Sequence, residues 1–137
     1  LDKLYDYSSN IISETNNFVI LGDFNIAPTD NDVPDSETCE GQILCSPNER
    51  SSLKKLMDLG LIDIFSNFQF PQKTFTWWDY RAGCFHKNIG YRIDLILATK
   101  AIADKCSDYI IDKDTRHKSW CPEEPRTSDH APVRIIL

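Results

Sequence analysis

The sequence lacks several things that would narrow its class quickly. No apolar run among its 137 residues approaches the roughly 20 needed to cross a bilayer, so a membrane partner is not expected. The amphipathic, acid-bearing amino terminus lacks a signal-peptide pattern. There is no low-complexity tract, internal repeat or linker, and a composition of 41% hydrophobic and 26% charged residues suits one globular domain over 1–137. An initiating methionine is absent before Leu1, so a piece of a longer protein is expected. The five cysteines (Cys39, Cys45, Cys84, Cys106, Cys121) contain no C-x-x-C pair, which argues against a zinc site, and their odd number excludes complete pairing. Free thiols in a cytoplasmic setting are the expectation.

Positive charge is outnumbered, with 15 Lys and Arg against 21 Asp and Glu. The formal net charge of −6 speaks against the basic face usual in phosphate binders. Its distribution qualifies that reading. Residues 1–70 carry 4 Lys/Arg against 12 Asp/Glu, whereas residues 71–137 carry 11 against 9. An acidic balance is compatible with phosphate chemistry when carboxylates hold a metal ion that meets the phosphate.

What is present is patterned. Leu1, Leu4, Ser8, Ile11 and Ile12 recur at helical spacing and predict an amphipathic helix over 2–15. Phe18-Val19-Ile20-Leu21, closed by Gly22, reads as a buried strand. Residues 24–45 are rich in Asp, Asn, Pro and Ser and read as a loop, long enough to suggest a function. Ser46-Pro47-Asn48-Glu49 is a capping box with proline at the first helical position, and Gly60 suits the helix stop. Residues 61–70 read as a short helix or turn, and 99–105 as another helical stretch. Strands are predicted over 74–78, 92–98, 109–111 and 130–137. The expected fold class is α/β (α+β), a mainly mixed or antiparallel sheet with helices on one face.

Four local features could carry chemistry. Asp23 and Asn25 follow a predicted strand; a carboxylate there can handle protons and a carboxamide can hold an oxygen, although both are also turn formers. Asp94 interrupts an apolar run, where a carboxylate needs a donor or a cation, from a site or from a structural salt bridge. Asp129-His130 places an imidazole beside a carboxylate, suited to proton transfer or to a phosphate oxygen, or else is a polar loop. Trp77, Trp78, Tyr80 and Phe85 interleave with Lys73, Arg81 and Lys87, as in nucleotide contacts. Neighbouring strand residues face opposite ways, so one tryptophan is expected in the core and the other at a surface.

The order of these features resembles the exonuclease III-type apurinic/apyrimidinic (AP) endonucleases of the endonuclease/exonuclease/phosphatase superfamily. The matching stretches are Leu21-Gly22-Asp23-Phe24-Asn25-Ile26-Ala27-Pro28-Thr29-Asp30, Phe75-Thr76-Trp77-Trp78-Asp79-Tyr80-Arg81, Gly90-Tyr91-Arg92-Ile93-Asp94-Leu95-Ile96-Leu97 and Ser128-Asp129-His130-Ala131-Pro132-Val133. The resemblance implies the carboxyl-terminal half of a four-layered, DNase I-like α/β sandwich. It also implies hydrolysis of DNA phosphodiesters with Mg²⁺ or Mn²⁺, at abasic sites or damaged 3′ ends of a duplex. Asp23 would orient or deprotonate water or protonate the leaving oxygen, and Asn25 would hold the phosphate. Asp94 would support His130, which contacts the phosphate, and Asp129 would pair with His130 or help a second metal. Trp77, Trp78, Arg81 and Arg92 would meet DNA. The principal metal ligand and one sheet would come from an amino-terminal half or a second chain, leaving this chain weakly active alone. Competing expectations are the same chemistry on RNA, inositol or lipid phosphates, or a non-catalytic DNA-binding fragment.

Overall fold

Leu95 and Leu97 project to one side of a strand and Ile96 and Ala98 to the other, and all four are buried. That two-sided burial sets the layers. The computed structural model describes residues 1–37, 39 and 42–137. In chain order the elements are α1 (Asp2–Glu14), β1 (Val19–Asp23), α2 (Pro47–Met57), β2 (Leu61–Asp63), α3 (Cys84–Lys87), β3 (Asp94–Thr99), α4 (Lys100–Ala103), β4 (Asp108–Ile111) and β5 (Val133–Ile136). A three-stranded antiparallel sheet has the order β1-β3-β2, and β4 and β5 form an antiparallel pair.

Leu95 and Leu97 meet Leu53 and Leu56 of α2, with Leu4 and Ile12 of α1 against the same cluster. Ile96 and Ala98 meet Ile64, Ala103 and Tyr109, backed by Val133 and Ile135 of β5. The result is a mixed α/β fold with antiparallel sheets and α1 and α2 on one face. Among the described residues no helix is long and apolar enough to cross a membrane.

Local chemistry accounts for the ends of α2. The Ser46 hydroxyl accepts from the Glu49 N–H, while the Glu49 carboxylate accepts from the Ser46 N–H at 2.9 Å. Gly60, in the turn that follows Met57 and Asp58, takes a positive φ of +93°, a region costly for a side chain.

Several expectations need correction. β1 is an edge strand: Leu21 is 64% exposed, because β1 pairs with β3 alone among the described strands. Residues 61–63 add to the sheet as β2 before a 3₁₀ turn at Ile64–Asn67. Residues 74–78 make isolated bridges through Trp77 instead of a strand. The strand expected over 92–98 begins at Asp94, and that over 130–137 is Val133–Ile136. Within the 24–45 loop, a 3₁₀ turn spans Asp30–Asp32; residues 38, 40 and 41 lie outside the described residues. Cys39 and Cys45 are joined in a disulfide, their Cα atoms 5.6 Å apart, so the expectation of free thiols holds only for Cys84, Cys106 and Cys121.

Arg92 ties this loop to the sheet. It is 2% exposed, and its Nε donates to Asp32 Oδ1 at 2.6 Å while Nη2 lies 2.8 Å from Asp63 Oδ2. Its backbone N–H donates to the Asp32 carbonyl at 2.9 Å. Burial alone would favour the neutral form, but Asp63 and Asp32 reverse that and raise the pKa of the guanidinium. Removing one member of such a group strands buried charge. Arg92→Met is therefore expected to cost about 3–5 kcal/mol in urea unfolding. Lys54→Ala, which breaks the exposed Lys54–Asp58 pair, should cost under about 0.5 kcal/mol.

Candidate active site

Asp23 closes β1 and Asp94 opens β3, and the register sets the two residues opposite each other. Like charges so placed repel unless a donor or cation intervenes. His130 supplies that donor. Its Nδ1 lies 3.1 and 3.0 Å from the two Asp94 carboxylate oxygens, and its Nε2 lies 4.0 Å from Asp23 Oδ2. A proton on Nδ1 donated to Asp94 leaves Nε2 on the side of Asp23.

The sequence neighbour Asp129 does not make this pairing. Its Oδ2 accepts from Trp77 Nε1 at 3.0 Å, so Asp94 is the carboxylate on the His130 ring. Asn25 has φ +52°, a left-handed conformation that asparagine tolerates. Its N–H donates to Asp23 Oδ1 at 2.8 Å, orienting that carboxylate through a tight turn.

Residues 76–78 hold the two sides together. The Thr76 hydroxyl accepts from the N–H groups of Ile93 (3.2 Å) and Asp94 (3.1 Å), and its carbonyl accepts from the Ala131 N–H at 2.7 Å. Trp77 exchanges two backbone bonds with Tyr91, and the Trp78 N–H donates to the Asp129 carbonyl at 3.1 Å. Ser128 Oγ accepts from the His130 N–H at 3.1 Å. A Cβ at Gly90 would sit 2.6 Å from the Trp77 carbonyl and from the Trp78 ring, so this approach requires glycine.

Thr76, Tyr91 and Gly90 were missed as residues that shape the site. The signals were a lone threonine between aromatics and a glycine directly before Tyr91-Arg92.

The residues expected on DNA divide by burial. Trp77 is half-buried, its ring centroid 6.4 Å from that of His130. Arg81 is exposed and chelates Asp79, and the hydrogen bonds from Arg81 hold the Asp79 pKa down to about 2. Trp78 and Arg92 are corrections: Trp78 is 0% exposed against Phe75 and Ala131, and Arg92 is spent on Asp32 and Asp63. A side chain without a surface cannot meet a duplex.

A cavity of about 460 Å³ opens beside the dyad, with Asp94, His130, Trp120 and Val133 among its walls. Among the described residues no group of three or more His, Cys, Asp or Glu converges to hold a metal ion.

A model of the endonuclease/exonuclease/phosphatase family matches residues 2–130. The chain belongs to this family. The exodeoxyribonuclease III of Haemophilus influenzae is 36% identical over 137 residues, covering 95% of this chain and 49% of that protein. The exodeoxyribonuclease of Bacillus subtilis is 28% identical over 121 residues, 87% of this chain and 44% of that protein. Among solved structures, the 3′ phosphatase NExo of Neisseria, bound to product DNA hairpin, superposes with a TM-score of 0.88 at 36% identity. It covers 98% of this chain and 50% of that one. An AP endonuclease from Archaeoglobus fulgidus gives a TM-score of 0.86 at 27% identity, over 99% and 51% of the two chains. The chain spans about half the length of the curated relatives it matches.

For this member of the family, the geometry sets a clear spectroscopic expectation. Long-range ¹H–¹⁵N spectra of neutral His130 should show the Nδ1–H tautomer, and Asp94→Asn should lose that preference. A dominant Nε2–H form in the parent would contradict the pairing. Thr76→Val strands two N–H groups and should cost about 2 kcal/mol or more.

Proposed function

We propose that this chain supplies the carboxyl-terminal half of the active site of a DNA-repair phosphodiesterase. The reaction is hydrolytic incision at abasic sites and trimming of 3′ ends in duplex DNA. The observation that carries this reading is the Asp94–His130 pair with Asp23 across the ring, at the end of two paired strands. Similarity to nucleases, and to a structure bound to a DNA hairpin, gives the phosphate its macromolecule.

Each residue has a role its placement suits. Asp23, oriented by the Asn25 N–H, positions or deprotonates water or protonates the leaving oxygen. Asn25 offers its carboxamide to the phosphate. Asp94 holds the His130 ring, and His130 stabilises the charge that develops on the phosphate. Asp129 anchors Trp77, whose half-buried ring forms the wall next to His130. Arg81 is the exposed cation on the same segment.

The residues present do not compose a Mg²⁺ or Mn²⁺ site by themselves, since among those described no group of three or more His, Cys, Asp or Glu is placed to hold an ion. In this proposal the ion belongs to the whole enzyme, with its principal ligand outside residues 1–137. The exposed Leu21 on edge strand β1 fits a face that further chain covers.

In the full-length protein, Asp23→Asn is expected to reduce incision of an abasic duplex by about 10²–10⁴-fold. Duplex binding measured by anisotropy should persist. Unchanged cleavage would overturn the assignment of Asp23, and a binding-only fragment would leave both readouts unaltered.

A further inference from the structure

Arg116 is a buried cation without a carboxylate. It is 7% exposed, yet it takes part in none of the ion pairs among the described residues. Its Nη groups donate to the carbonyls of Ser128 and Trp78 and to the Thr127 hydroxyl, while Nε has no partner there. Arg92, buried still more deeply, has two carboxylates. Burying guanidinium charge without an anion is costly, and an anion from outside would offset that cost.

Arg116 lines a cleft of about 260 Å³ together with His86, His117, Lys118 and Arg126. Asp79 is the carboxylate among the lining residues, and Arg81 already chelates it. Arg126 lies 4.7 Å over the Tyr80 ring and Arg116 lies 4.9 Å over Phe85, while the His117 ring meets the edge of Phe85 at 5.0 Å. Aromatic faces hold cations in place without neutralising them. The cleft therefore concentrates donors and positive charge in a protein whose net charge is −6.

Its position connects it to the chemistry. Arg126 and Thr127 wall both this cleft and the larger cavity that reaches Asp94 and His130. The Tyr80 hydroxyl donates to the Thr127 carbonyl at 2.6 Å and fixes the ridge between them.

We propose that the cleft lined by Arg116, His117 and Arg126 is a second phosphate site, which holds a backbone phosphate of the same nucleic acid whose scissile phosphate lies at His130. This assignment rests on the nuclease reading above. It adds a grip away from the reacting bond, through which the enzyme measures backbone on one side of the cleavage point. Arg126 and His117 donate to the phosphate, and Arg116 supplies unneutralised charge behind them.

The test uses the full-length protein, a duplex with a non-hydrolysable abasic analogue, and anisotropy between 50 and 200 mM salt. Arg126→Ala is expected to weaken binding roughly tenfold. It should also flatten the slope of log K against log[salt] by about 0.9. Lys100→Ala, which removes an exposed lysine paired with Asp104, should match the parent. A neutral methylphosphonate walked along the strand should find one non-scissile position that costs the parent the same tenfold and costs Arg126→Ala nothing more. A parent that binds with the same slope and affinity as Arg126→Ala overturns the second site and leaves the nuclease reading standing. A parent that binds no duplex overturns both.

Discussion

Residues 76–78 hydrogen-bond on one side to Tyr91, Ile93 and Asp94 and on the other to Asp129 and Ala131. Asp94 and His130 stand 36 positions apart, one opening β3 and the other approaching β5, and this bridge gives them a common frame. The two tryptophans divide its work. Trp78 buries its ring against Phe75 and Ala131 and anchors the segment, while Trp77 turns toward the imidazole and binds Asp129. Gly90 lets the returning chain approach closely enough for Tyr91 to pair with Trp77. Position in the site thus derives from backbone bonds shared among three segments, and only secondarily from the loops that carry its polar groups.

The electrostatics follow a similar division. In an acidic chain the few buried cations have separate uses. Arg92 joins the loop after Asn25 to β2 through Asp32 and Asp63, and the adjoining backbone leads into Asp94. Arg116 instead fastens Trp78 and Ser128 through carbonyls and has no carboxylate partner among the described residues. One arginine stabilises the platform beneath the carboxylates; the other adds positive potential to the cleft that it lines.

Much of this was legible in the sequence where a short-range rule decides the outcome. The Ser46–Glu49 cap, the Gly60 turn and the amphipathic α1 depend on neighbours within one or two turns, and each is found. The apolar run around Leu95–Leu97 marked a strand, and the charge that interrupts it, Asp94, meets the His130 ring. What failed depended on distant partners. Adjacency offered Asp129 as a partner of His130 or as an aid to a second metal, beside the Asp94 that the family resemblance named as the support of His130, and Asp129 is drawn instead to the Trp77 indole. Arg92 looked free for DNA because nothing local shows that Asp32 and Asp63 converge on it. The same blindness hid the Cys39–Cys45 bond and the exposure of β1, since parity cannot pair cysteines and hydropathy cannot tell an edge strand from a central one.

The central claim is that these residues handle the phosphate and its protons while a further part of the enzyme completes the site. The most direct measurement is incision of an abasic duplex with Mg²⁺, comparing the full-length protein with residues 1–137 alone at equal concentration. Rapid cutting by the former and little by the latter is the predicted result. Equal, efficient cutting by the 137-residue chain would contradict it.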